Sequence, residues 1–133
     1  MSKTIVSKAN KLVEYLTTLG LNAKLSFTPE YNLSNDNEKI IYVSPRDKKI
    51  SRENRTQKDV ESTIDICMIE RAKENEVSSL IAEMESLGDK LLQQTFDNAK
   101  VSQVLFNPLF ASEELRQKRL FVSVLSVTLR EFY

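Results

Sequence analysis

The chain has 133 residues and a mass of 15.3 kDa, enough for one domain of ordinary size, and its 41% hydrophobic content is sufficient for a compact core. Nineteen basic and nineteen acidic residues give a formal net charge of zero, so composition offers no support for a chain-wide affinity for polyanions. There is no histidine, one cysteine and only two glycines, which removes the commonest neutral-pH base, any intramolecular disulfide and any glycine-rich phosphate loop.

Ile5, Val6, Ala9, Leu12, Val13, Leu16 and Leu19 recur at helical steps and predict an amphipathic helix, with Ser2 as its cap and Gly20 as its terminator. Ala23 to Pro29 alternates in the manner of a half-buried strand, and Glu30 to Glu38 reads as a turn region rich in Asn, Ser and Asp. The apolar strand Lys39 to Ser44 follows.

Between Ser44 and Asp59 lies a polar stretch that carries Arg46, Lys48, Lys49, Arg52, Arg55 and Lys58, with Ile50 its one large apolar side chain. Hairpin connections normally close in two to five residues, so the expectation is a mobile basic loop at 44–59 that an outside partner orders. Its six cations face only Asp47 and Glu53, a local charge of about +4, which leaves about −4 for the rest of the chain. These six residues are the predicted partner-binding site. An acidic protein surface or a neighbouring copy fits them; phosphate backbone is the alternative, without stacking aromatics in the stretch.

Beyond it, Val60, Ile64, Ile66 and Met68 share one strand face, and Glu61, Thr63, Asp65, Cys67 and Ile69 the other. Asn75 is the expected cap of a second helix, whose stripe is Val77, Leu80, Ile81, Met84, Leu87, Leu91 and Leu92. Gly88 sits inside that helix, which points to a close approach of another backbone or a bend. A strand from Val101 to Phe106 stops at Asn107-Pro108, Ser112 to Gln117 suits one helical turn, and Arg119 to Tyr133 reads as a long strand apolar on both faces.

The order is α-β-β-β-α-β-β, an α+β fold with a mainly antiparallel sheet and two amphipathic helices packed on one face, within a single domain spanning 1–133. The apolar residues on the second face of the last strand argue for a further interface between copies. Cys67 has no histidine or second cysteine to activate it and reads as a buried thiol. Glu61, Asp65 and Glu70, and the run Glu74, Glu76, Glu83, Glu85 and Asp89, are solvated charges before they are metal ligands, so no catalytic, metal or cofactor site is expected. No apolar stretch approaches the length of a membrane span, and a soluble protein is expected.

The segment order and several local patterns resemble the tail terminator and tail-completion (head-tail joining) proteins of long-tailed bacteriophages. The matching features are the first helix, Ile40-Ile41-Tyr42-Val43-Ser44-Pro45, the arginine-bearing stretch with Ser51-Arg52, Ser62-Thr63-Ile64-Asp65-Ile66, the helix from Val77 to Phe96, Asn107-Pro108-Leu109-Phe110, and Leu120-Phe121-Val122-Ser123-Val124-Leu125. The resemblance implies a non-enzymatic virion subunit at the neck end of the tail, assembled in the bacterial host cytoplasm. It implies a homo-oligomeric ring, commonly a hexamer, that caps the tube of major tail-tube protein and joins it to the head connector, with DNA only passing through. The rival expectation is a small nucleic-acid-binding module that uses residues 46–58.

Overall fold

The computed structural model describes residues 4–27 and 39–133. The first helix, α1, runs Ile5–Thr18, and Thr4 rather than Ser2 caps it: the Thr4 hydroxyl accepts the Ser7 N–H at 3.1 Å, while Ser2 lies outside the described residues. Gly20 ends it as expected. At φ +84° it takes the left-handed conformation open to glycine, and the Leu21 and Gly20 amides return to the carbonyls of Leu16 and Thr17.

Strand β1 is short, Ala23–Leu25, and the expected continuation to Pro29 and the turn region 30–38 fall largely outside the described residues. It is followed by β2, Lys39–Arg52, and β3, Lys58–Arg71. A single turn of 3-10 helix at Glu74–Glu76 leads into α2, Val77–Leu92. Asn75 is therefore inside that turn and is not the cap; the Glu76 carboxylate instead takes the Lys73 N–H at 3.1 Å. After α2 come β4, Thr95–Phe96, β5, Ala99–Phe106, α3, Ser112–Lys118, and β6, Leu120–Phe132.

The strands form one sheet in the order β1-β2-β3-β6-β5-β4. Among the described residues the β1–β2 pair is parallel and the other pairs are antiparallel. The fold is α+β, with the predicted helix and strand order and with α3 as a third, shorter helix where one turn was expected.

The sheet curls around α1. Ala9, Leu12 and Leu16 are fully buried against β1, β2 and β3 at one end of the strand order, yet the Tyr15 ring also meets Phe96 of β4 edge-on, with centroids 5.7 Å apart. The Ser7 hydroxyl donates to Asp97 beside β4 at 2.7 Å. Because β1 and β4 are opposite ends of the sheet, one helix can reach both only if the sheet wraps round it. The second helix covers β5 and β6, and α3 packs on β6, where Phe110 lies nearly parallel to Phe121.

Leu12, Leu16, Ile41, Val43, Ile64, Ile66, Met68, Met84, Leu91, Phe121, Leu125, Val127 and Leu129 form the main core between helices and sheet. Each buried aliphatic of this size contributes about 1.5–3 kcal/mol. The far face of the sheet departs from expectation. Its apolar residues Cys67, Ile69, Leu120 and Val122 form a second buried cluster with Tyr42, Ala111 and Val124, so they are covered within the chain and are not themselves an argument for an interface between copies. Further along the same face the side chains are mostly polar: Asp59, Glu61, Thr63 and Asp65 on β3, paired in register with the exposed Phe132 and with Arg130, Thr128 and Ser126 on β6.

The largest correction concerns residues 44–59. They are not a loop: β2 and β3 stay paired from Lys39 opposite Glu70 to Arg52 opposite Lys58, and only Glu53 to Gln57 turn the chain. Backbone pairing, rather than apolar burial, supplies the ordering that composition alone did not show. Pro45 is compatible with this strand because among the described residues β1 covers β2 only along Ile41 to Val43, so the position of the amide that proline lacks faces no described strand.

Candidate assembly surface

The turn of the β2–β3 hairpin is held by Asn54, whose side-chain oxygen accepts the amides of Thr56 at 2.9 Å and Gln57 at 3.0 Å, while the Glu53 amide bonds the Gln57 carbonyl. Strand alternation then decides where each cation goes. Lys48, Ile50 and Arg52 project to the side of the sheet that carries the helices, in line with Ser62, Val60 and Lys58. Lys49 projects to the far side, opposite Glu61, and Arg55 sits in the turn.

Arg46 has a different environment. The register steps from Pro45 opposite Ile64 to Asp47 opposite Thr63, so Arg46 is the extra residue of a bulge. Its guanidinium lies 3.5 Å from Asp65 and 3.5 Å from Asp47, and it donates to Ser126 Oγ at 3.2 Å; that hydroxyl in turn donates to Asp65 at 2.6 Å. Lys58 lies over the Tyr133 ring at 5.4 Å, and the backbones of these two residues pair in both directions.

The predicted set thus divides. Arg46 is tied into the polar far face and Lys58 onto the C-terminal tyrosine, while Lys48, Lys49, Arg52 and Arg55 remain exposed. Among the described residues Lys48, Arg52 and Arg55 have no ion-pair partner, and they extend from an edge rather than forming one pad. From Ser44 to Arg52 the outer edge of β2 has no strand beside it among the described residues.

Sequence reasoning missed the anion that organises the neighbouring strand. Arg130 of β6 makes a forked pair of hydrogen bonds to Asp59, 2.9 and 2.7 Å, stands 3.8 Å from Glu61 and lies 5.1 Å from the centre of the Phe132 ring. The guanidinium hydrogen bond holds the Asp59 carboxyl below the usual carboxylate range, with further help from the charges of Arg130 and Lys49 against the opposing effect of burial. Only the cross-strand register connects residues so far apart in sequence.

The carboxylates weighed as metal ligands are engaged otherwise: Glu61 and Asp65 with arginines on the far face, and Glu70 with Lys39, whose ammonium also meets Glu83. The remaining acidic residues of α2, Glu85 and Asp89, are exposed. Among the described residues no three of His, Cys, Asp and Glu are grouped so as to hold a metal ion. Cys67 is buried in the second apolar cluster.

Two hollows remain. One of about 200 Å³ lies between Leu21, Ile41, Met84 and Leu87, and a shallower cleft of about 720 Å³ lies between the start of α2 and α3, with Val77, Ile81, Phe110 and Leu115 as its apolar lining. Neither joins the hairpin cations. No helix among the described residues is long and apolar enough to cross a membrane. No family model matches the chain, and no curated protein matches it.

Proposed function

We propose that this chain is a structural, non-enzymatic virion subunit: a ring-forming tail terminator that caps the tail tube of a long-tailed bacteriophage and joins it to the head connector. The observation that carries the assembly reading is the β2–β3 hairpin, whose outer edge from Ser44 to Arg52 has no strand beside it among the described residues and bears Lys48, Lys49 and Arg52 at the surface. A row of free backbone donors and acceptors flanked by cations is a surface for another protein chain. The element order supports the family reading through the resemblance set out above, and a hexameric ring, the tube protein and the head connector are its partners.

Gripping nucleic acid is less favoured by the geometry. Alternation sends Lys48 and Arg52 to one side of the sheet and Lys49 to the other, while the exposed Arg46 and Lys58 are engaged by Asp65 and by the Tyr133 ring, so the six cations do not converge on one phosphate track. The test is co-sedimentation of the purified chain with polymerised tail-tube protein, together with light scattering. Binding to tube ends and a ring-sized species are expected. A chain that is monomeric at high concentration and ignores the tube would overturn the proposal, and salt-dependent retardation of DNA would favour the rival.

A further inference from the structure

The sheet has a second open edge, at its other side. Strand β4 pairs with β5 only through Thr95 with Lys100 and Phe96 with Ala99, so Ser102 to Phe106 have no strand beyond them among the described residues. The helix side of this edge is roofed by α2: a Cβ placed on Gly88 would come within 2.9 Å of Phe106 and 3.3 Å of Val104. Glu85 and Leu92 lie three residues before and four after Gly88, on the same flank of the helix, and Asp89 is next to it. All three are exposed, Leu92 by 49%. Among the described residues Glu85 and Asp89 have no ion-pair partner.

One edge therefore carries cations around an exposed apolar residue, Lys48 and Arg52 on either side of Ile50, and the opposite edge carries anions near another, Glu85 and Asp89 beside Leu92. Both sets are on the helix side of the same sheet. We infer that copies of this chain associate head to tail, the free β2 edge of one copy adding to the free β5 edge of the next, with Lys48 and Arg52 meeting Glu85 and Asp89. This interface rests on the ring-subunit reading above and gives that ring its bond.

Three features favour a second copy of this chain as the occupant. A sheet continued from copy to copy keeps its helix side on one side, which brings the unpaired charges of opposite sign together. Within the chain β2 runs parallel to β6 and β5 runs antiparallel to both, so the added ladder is antiparallel like its neighbours. Pairing β2 with another β2 instead sets lysines and arginines against each other, which disfavours a two-fold dimer through this edge and favours the heterologous contact, which makes a ring when the rotation between copies closes.

The experiment uses the full chain in sedimentation velocity and light scattering. Wild type is expected to form a closed oligomer that weakens at high salt. Lys48→Glu with Arg52→Glu, and separately Glu85→Lys with Asp89→Lys, should each reduce it to monomer mass, and a one-to-one mixture of the two variants should restore the oligomer with copies alternating. All four positions are exposed, and circular dichroism separates loss of association from loss of fold; if either reversal fails to fold, Ile50→Lys provides the second test of the β2 edge. A monomeric wild type, an oligomer indifferent to either reversal, or a mixture that stays monomeric overturns the inference. Tube binding is scored separately, so oligomers made through these edges that ignore the tube sink the terminator reading and leave the interface standing, whereas an oligomer indifferent to the reversals that still caps the tube does the opposite.

Discussion

The ammonium of Lys8 lies 2.7 Å from the carboxylate of Glu131, and both side chains are buried, Lys8 completely. This pair joins α1 to the last strand beneath the curl of the sheet. Removing one member takes a counter-charge at 2.7 Å away from a buried charge, and breaking a buried pair typically costs about 3–5 kcal/mol, whereas replacing both with apolar residues of similar size is often close to neutral. Lys8→Met alone and Glu131→Leu alone should thus each lower the urea midpoint strongly, and the double variant should recover most of the loss. Single losses below about 1 kcal/mol would show that the pair is wet and weakly coupled.

Gly88 gives a second expectation. Alanine in a helix interior gains about 1 kcal/mol over glycine, but here the new methyl meets the ring tip of Phe106 at 2.9 Å and Val104 at 3.3 Å. The two effects oppose each other, so Gly88→Ala should be nearly neutral and Gly88→Val should cost about 1–3 kcal/mol by overpacking. Gly88→Ala combined with Phe106→Leu should be more stable than Phe106→Leu alone. Thermal unfolding of the four variants decides it, and an additive set would refute the contact.

Helix periodicity made α1 and α2 legible in the sequence, and the strand faces of β3 were read correctly down to Ile64, Ile66 and Met68. Residues 44–59 were not, for a definite reason: alternation reports burial, and Lys48, Lys49 and Arg52 are exposed whichever side of the sheet they take. Pro45 then resembled a strand end, although an open edge and a bulge at Arg46 accommodate it. The β4–β5 hairpin was missed as well. Asp97 and Asn98 both adopt positive φ, 48° and 68°, a turn that these two residue types tolerate, and that pair of residues was the available signal. The burial of Lys8 was not legible, because a long apolar stem and its ammonium share one letter in any pattern count.

Asn54 should control how firmly the hairpin end is formed. Its oxygen accepts two backbone amides and the Thr56 hydroxyl, so Asn54→Ala leaves those amides to solvent. A loss of about 0.5–1.5 kcal/mol is expected. Amide exchange should quicken at Thr56, Gln57 and Lys58 while Ile64 to Met68 stay protected. Uniform acceleration through β3 would mean that the turn and the core open together.

The Asp59–Arg130 fork predicts a particular acid limb. Its guanidinium hydrogen bond lowers the folded pKa of Asp59 below that of the unfolded chain, so ionised Asp59 stabilises the fold above its unfolded pKa of about 3.9, and that contribution fades as pH falls through the lower folded value. Asp59→Asn keeps the side-chain size and removes the titration. Its urea midpoint should fall below wild type at pH 7, and the gap should narrow steadily below about pH 4 as the wild-type carboxyl takes up its proton. The gap should also shrink in high salt at pH 7, since Arg130 is partly exposed and its attraction is open to screening. A gap that is constant from pH 7 to pH 2 would show that geometry, rather than charge, is what Asp59 contributes to this strand pair.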